Sequence, residues 1–348
     1  MIEKRTNDAL RANPDIFHYP TGTDIRITTH GSNVYWAITA VMALATLCFI
    51  GLSFRVPRSK RIFHYITASI TMTASIAYFT MASNLGYASI IQEFQRSNPL
   101  VRGVYREIFY VRYIDWVVTT PLLLLDILLT AGLPWPTILY TIFLDEVMII
   151  TGLVGALVSS SYKWGYFVFA MVALFGIAYN VLFIGAKHAK ALGTAVNKVY
   201  WTCGGITMFL WFLYPIAWGL SEGGNVISPD SEAVFYGVLD VLAKVLFGTL
   251  LLMGHRNIDP AHLGLHIRDY DEQPNTFHEK GNRDVNSGAQ RNGTNVGTNA
   301  AVATGFHNGN NTPAATAVDS NRVANDAAFA GTGSGTGTTG NVGNSSAV

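Results

Sequence analysis

The sequence predicts an all-α fold, a bundle of seven transmembrane helices with the N-terminus outside and the C-terminus cytoplasmic. Three observations carry this reading. Half of the 348 residues are hydrophobic and only 13% are charged, about half the charged share of an ordinary soluble domain. Seven apolar segments each reach the roughly 20 residues that a helix needs to cross the hydrocarbon core. Cationic residues gather in alternate connections, as they do on the cytoplasmic side of membrane proteins.

The segments lie at about 33–54, 62–86, 107–130, 137–158, 165–186, 199–221 and 232–255. The first, "NVYWAITAVMALATLCFIGLSF", has no formal charge. It starts too late and runs too long for an ordinary secretory signal, and no small-residue cleavage site follows it. The segments that hold charges are set by their length and flanks. Arg55, Arg58, Lys60 and Arg61 follow the first span, Lys187, Lys190 and Lys198 the fifth, and His255 and Arg256 the seventh. These connections belong in the cytoplasm, and the one carrying Glu222, Asp230 and Glu232 belongs outside. Arg96, Arg102 and Arg106 fall on the outer side against this trend.

Three domains follow. Residues 1–32 are a polar extracellular lead, 33–256 the helical domain, and 257–348 a polar cytoplasmic tail. The distal tail, with "NGTNVGTNAAVATGFHNGNNTPAA" and "GTGSGTGTTGNVGNSSAV", lacks the apolar content of a core and reads as disordered. Asn292, Asn310 and Asn344 match glycosylation patterns that a cytoplasmic tail keeps from the glycosylation machinery. Cys48 and Cys203 both lie in apolar segments and read as small buried hydrophobes rather than a disulfide. A net charge of +1 without a basic tract gives no reason to expect a nucleic-acid partner.

The third segment contains "VRYIDWVVTTPLLLLDILL", with Arg112, Asp115 and Asp126 inside an apolar run. A charge at the bilayer centre costs at least about 2.5 kcal/mol, so these residues need a reason. Asp115 and Asp126 are eleven residues apart. That is about three turns, which puts them on one face and about 16 Å apart along the axis. They read as two stations on a proton path, or as structural acids bonded to neighbouring helices.

In the sixth segment, "WFLYPIAW" places Trp211, Tyr214 and Trp218 in one stripe beside Pro215, a residue that kinks helices. Such a stripe is packing or an interfacial belt, or the wall of a slot for a long flat chromophore. In the seventh, "FYGVLDVLAKVLFG" puts Asp240 and Lys244 four residues apart on one face. Lys244 is in mid-span, where snorkelling is difficult. It must pair with a carboxylate or be modified, and a buried lysine amine forms a Schiff base with an aldehyde. Asp115 and Asp240 are placed to balance the resulting cation, and Arg112 to hold both acids ionised. Trp116 adds an aromatic wall from the third helix. Tyr78 and Tyr214 supply phenols for Asp115 or Asp240.

The combination of "RYIDWVVTTPLLLLD", "TGLVGAL", "WFLYPIAW" and "LDVLAKVLFG" resembles the microbial (type 1) rhodopsins, seven-helix retinal proteins, over about residues 33–256. It is closest to fungal proton-pumping rhodopsins and similar to bacteriorhodopsin. The resemblance implies all-trans retinal bound covalently to Lys244 as a protonated Schiff base. It makes Asp115 the primary counterion and proton acceptor, Asp240 the second counterion, Asp126 the cytoplasmic donor and Arg112 the gating arginine. Glu222 and Glu232 match the external proton-release pair. Thr67 is placed to hydrogen-bond the donor, and Thr119 and Thr120 match hydroxyls beside acceptor and retinal. Trp116, Met148, Gly152, Trp211 and Trp218 match pocket residues, Phe167 falls near a family tryptophan, and Asp145 matches a structural acid. Glu146 has no counterpart. No metal site is implied.

The activity implied is a light-driven outward proton pump, not an enzyme, driven by all-trans to 13-cis isomerisation. Apolar neighbours favour a protonated Asp126 at rest, ready to resupply the Schiff base. Chloride-pumping relatives lack the acceptor acid and sodium pumps carry an Asn-Asp-Gln arrangement, whereas Asp115, Thr119 and Asp126 stand here. The connection between Trp218 and Glu222 is one residue shorter than in archaeal bacteriorhodopsin. Expected partners are the lipid bilayer and protons, with room for a homo-oligomer and for an unnamed cytoplasmic partner of the tail. The expected location is the plasma membrane, as a multi-pass protein. The alternative is a slow-cycling sensory rhodopsin signalling through a partner, against which Asp126 argues. A hormone-type receptor lacks support, because neither an Asp/Glu-Arg-Tyr nor an Asn-Pro-x-x-Tyr motif is present.

Overall fold

The computed structural model describes residues 23–92 and 103–265. Most of the expected N-terminal lead, the tail beyond residue 265, Arg96 and Arg102 lie outside the described residues. Within them are seven long helices: α1 (Thr29–Ser53), α2 (Ile62–Ala82), α3 (Tyr110–Thr130), α4 (Trp135–Leu157), α5 (Lys163–Ala191), α6 (Thr194–Gly223) and α7 (Pro229–His255). All but α2 are long and apolar enough to cross a membrane by length and composition. The exception has the length but is rich in Ser and Thr. Its hydroxyls bond back along the helix: Thr67 to the Phe63 carbonyl, Ser69 to Tyr65, Thr71 to Thr67, Thr73 to Ser69 and Thr80 to Ile76. Each therefore already has a partner, which hydrocarbon requires of any polar group.

Large apolar side chains face outward, while charged ones are enclosed within an otherwise apolar interior. Leu44, Leu47, Phe143, Phe209 and Met253 are more than half exposed, while Arg112, Asp115, Asp126, Asp240 and Lys244 are buried. Such a surface is costly in water and suited to lipid. Contacts at the two ends fix the alternation of the helices. Thr28 donates from its backbone N and its Oγ1 to Asp230 (2.8 and 2.5 Å), tying the start of α1 to the start of α7. At the other end, Lys60 pairs with Asp259 at 2.6 Å, and the His262 ring bonds the Leu192 carbonyl at 3.0 Å. The α1–α2 and α5–α6 connections thus share an end with the segment after α7. That end is the one rich in Lys and Arg.

Two features depart from the expected all-helical bundle. An antiparallel pair of strands, β1 (Ala88–Ile91) and β2 (Tyr105–Ile108), stands before α3 with Ala88 opposite Ile108 and Ile91 opposite Tyr105. The third span accordingly begins at Tyr110, not 107. Ile25 adds a parallel bridge at Arg106, and the Ile27 N–H donates to Glu107 Oε2 at 2.8 Å. The hairpin is therefore anchored to the chain entering α1. The second feature is a wide π turn in each of three helices: Asn180–Gly185 in α5, Gly219–Gly223 in α6 and Val241–Leu246 in α7. The π turn in α5 accommodates the Tyr200 hydroxyl, which bonds the Val181 carbonyl at 2.6 Å. A Cβ on Gly185 would come within 2.0 Å of that oxygen, so a larger residue there would displace the Tyr200 hydroxyl. Turns of this kind are concentrated at functional sites, and Lys244 lies within the one in α7.

Candidate functional site

The wide turn of α7 presents Lys244 to α3. Its Nζ lies 3.1 Å from Asp115 Oδ2 and 2.8 Å from Asp240 Oδ1. All three side chains are buried, so the amine is the cation that lets two carboxylates share one buried site. The acids are not equivalent. Asp240 also accepts from Tyr78 at 2.7 Å and from Tyr214 at 2.5 Å, so both phenols serve the same acid. Asp115 keeps Oδ1 without a partner. Thr119 lies one turn on, but its hydroxyl donates to the Asp115 backbone carbonyl at 2.9 Å.

From Lys244 an apolar cavity runs between α3, α4, α5 and α6. Trp116, Thr120, Met148, Gly152, Phe167, Trp211, Tyr214 and Trp218 all line it. Phe167 stacks on Trp218 with ring centroids 5.2 Å apart, and Trp116 meets Tyr214 edge-on at 5.2 Å. Tyr78 is not part of this wall and acts on the site through Asp240. The lining also includes Tyr113, Leu123, Ile149, Ala170, Met171, Leu174, Pro215, Tyr236 and Ala243. Tyr236 had a signal in the sequence, since it stands four residues before Asp240 on the same face. The α5 residues had none, because every face of that helix is apolar. Thr120 donates to Asp145 Oδ2 at 2.7 Å and so ties α3 to α4 beside the cavity. Glu146 does not line the cavity. A narrow apolar slot with flat aromatic walls and an amine at one end fits a long unsaturated aldehyde such as retinal.

Towards the Lys- and Arg-rich end, Asp126 is fully buried and neither carboxyl oxygen has a hydrogen-bond partner. The bond expected from Thr67 is not formed. That hydroxyl donates to its own Phe63 carbonyl at 2.6 Å, the nearer acceptor within a helix. Thr130, one turn beyond, donates to the Asp126 backbone carbonyl at 2.7 Å and meets His255 Nε2 at 3.1 Å.

At the opposite end, Arg112 corrects a second expectation. Its guanidinium bonds Glu222 at 3.1 Å, Glu232 at 2.7 Å and the Tyr35 hydroxyl at 3.0 Å, not Asp115 or Asp240. Lys244 already supplies those two acids with a cation, and Arg112 supplies the one ion pair that Glu222 makes among the described residues. Arg112 also lies over the Tyr236 ring, 4.2 Å from its centroid. Arg106, one of the three residues that run against the charge rule, is a strand residue and not a loop cation. It is fully buried on β2, bonding Glu232 Oε2 at 2.7 Å, the Ile227 carbonyl at 2.8 Å and Asn225. Arg106, Tyr35 and Lys163, whose Nζ bonds the Glu222 carbonyl at 2.9 Å, are recruits to this cluster that spacing along one helix could not reveal.

Residues 30–258 match the family described as bacteriorhodopsin-like protein. The chain is 60% identical over 301 residues to the opsin-like protein carO of Fusarium fujikuroi, covering 85% of this chain and 98% of that one. Among solved structures it is similar to the light-driven proton pump rhodopsin of Coccomyxa subellipsoidea, with a TM-score of 0.63 and 41% identity over 66% of this chain and 99% of that one. It is likewise similar to a light-driven proton pump from Leptosphaeria maculans, with a TM-score of 0.64 and 37% identity over 68% of this chain and 99% of that one.

Proposed function

The chain belongs to the bacteriorhodopsin-like family of microbial rhodopsins, a multi-pass membrane protein, and on that premise we propose that it is a light-driven pump moving protons from the cytoplasm to the outside. The observation that carries the proposal is the Lys244 amine held between Asp115 and Asp240 at the end of an aromatic slot. In this reading Lys244 Nζ holds retinal as a protonated Schiff base, with the walls provided by Trp116, Trp211 and Trp218. When bound, retinal would supply the absorption of light and the isomerisation that starts the cycle.

The chain's own residues then pass the proton. The proton on Lys244 Nζ moves to Asp115, the better acceptor of the two acids because its Oδ1 is uncommitted while Asp240 is held by two phenols. Asp126, buried and without a charged partner, is protonated at rest and returns a proton to Lys244 Nζ. Asp126 is then reloaded from the cytoplasmic end, and Asp115 gives up its proton outward past Arg112 and the glutamates. The Lys- and Arg-rich connections at the Asp126 end support this direction through the positive-inside rule. A carboxylate at Asp115 repels chloride from the same place. Replacing Asp115→Asn removes a negative charge beside the Lys244 nitrogen and removes the acceptor. The expected result is a visible band moved to longer wavelength and loss of light-driven transport. Transport at the unsubstituted rate would overturn the role given to Asp115.

A further inference from the structure

The pump reading requires Asp126 to be reloaded in every cycle, yet its carboxyl is fully buried and has no hydrogen-bond partner among the described residues. A proton must reach it through the polar groups that lie towards the Lys- and Arg-rich end. Three helix ends meet there. Phe63 is the second residue of α2, Thr130 the last of α3 and His255 the last of α7. The rings of Phe63 and His255 stack with centroids 4.1 Å apart, and both residues are buried. His255 Nε2 lies 3.1 Å from Thr130 Oγ1, and Thr130 stands one turn beyond Asp126 on the same face. Histidine is the side chain that gains and loses a proton near neutral pH, and His255 is the one buried histidine among the described residues.

The pocket suits the ring with or without its second proton. His255 Nδ1 lies 2.9 Å from the Leu251 carbonyl. A carbonyl only accepts, so Nδ1 carries a proton in both states and Nε2 is the atom that exchanges. In the neutral ring Nε2 accepts, and the Thr130 hydroxyl turns to donate to it. In the cation Nε2 donates to Thr130 Oγ1, which gives its own proton to the Asp126 backbone carbonyl at 2.7 Å. Neither state leaves a ring nitrogen without a partner, a condition that a group loaded and emptied once per cycle must meet. The titratable neighbours of the ring are His64 on α2 and, beyond Thr130, Asp126 on α3.

We propose that His255 is the relay that reloads Asp126, passing protons from the cytoplasm through the Thr130 hydroxyl. The inference rests on the donor role given to Asp126. Asp126 becomes a carboxylate when it gives its proton to Lys244 Nζ. Water from the cytoplasmic side then protonates His255 Nε2, the ring hands that proton to Thr130 Oγ1, and the proton that Thr130 held passes to the Asp126 carboxylate. Cβ atoms one turn apart are about 5–6 Å from each other, a gap that one hydrogen-bonded water spans. One proton enters, the ring returns to neutral, the hydroxyl keeps the proton from the ring, and Asp126 is again an acid.

The test is a flash experiment on the full chain with retinal, following the visible absorption and a soluble pH-indicator dye together. His255→Phe keeps an aromatic ring against Phe63, and Thr130 keeps its bond to the Asp126 carbonyl. In this variant Lys244 should regain its proton at the unsubstituted rate, because Asp126 is intact. Uptake of a proton from the medium should slow about 100-fold, the scale of a positioned acid–base group. Thr130→Val should show the same split between the two steps, and Thr130→Ser should recover fast uptake by returning the hydroxyl. A merely structural histidine would slow both steps or neither. Uptake at the unsubstituted rate in His255→Phe or in Thr130→Val would overturn this inference alone, and either variant suffices if the other does not fold. Unchanged return of the proton to Lys244 in Asp126→Asn would overturn the donor reading and this inference with it.

Discussion

Lys244→Ala leaves a protein with no visible absorption band after addition of all-trans retinal. The amine is the one nucleophile expected to hold the aldehyde, and the cavity it serves is otherwise lined by apolar and hydroxyl-bearing side chains. The variant also removes the cation between Asp115 and Asp240, which lie 3.1 and 2.8 Å from it. Losing one partner of a buried ion pair costs about 3–5 kcal/mol, softened if one acid takes up a proton. Lys244→Ala should therefore melt earlier than the unsubstituted apoprotein, and adding Asp115→Asn should recover part of the loss. Circular dichroism reports the helices and separates an absent chromophore from an absent fold. A covalently bound visible pigment in Lys244→Ala would refute the assignment of the lysine.

Asp126→Asn should form the pigment normally but return the proton to Lys244 about 100-fold more slowly, the scale of effect expected when a positioned general acid is removed. Among the described residues Asp126 has no ion-pair partner and no hydrogen bond to either carboxyl oxygen, so an amide of the same shape disturbs little of the packing. Without the donor, the proton must come from the medium, and recovery should slow further as pH rises. Azide, a small proton carrier, should restore part of the rate. Flash spectroscopy of the species lacking the Lys244 proton measures this directly. Unchanged decay would mean that Asp126 is not the main donor.

Much of the inner site was legible because charge inside an apolar run is conspicuous. Asp115, Asp126, Asp240 and Lys244 stand out against the leucines and valines around them, and helical spacing alone puts Asp240 and Lys244 on one face. The partner of Arg112 was not legible. Four carboxylates lay within plausible reach, and only the fold shows that it joins Glu222 and Glu232. Arg106 was noticed as an exception to the charge rule, but its burial depends on the hairpin. Strands of four residues carrying Arg106 and Glu107 give too short an alternation to detect, and they are held by Ile25, far away in sequence. The π turns were hidden for a different reason. An extra residue in a helical turn changes no composition, yet it sets where Lys244 points. The hydroxyl-rich α2 was recognised by its length and lack of charge, and its polarity is answered by bonds to its own backbone.

Illumination of right-side-out cells carrying the protein and retinal tests the central claim most directly, with orientation established independently. The account predicts that the external medium acidifies in the light, that a protonophore abolishes the change, and that replacing sodium or chloride does not. A visible pigment that completes its photocycle while the external pH stays constant would contradict it.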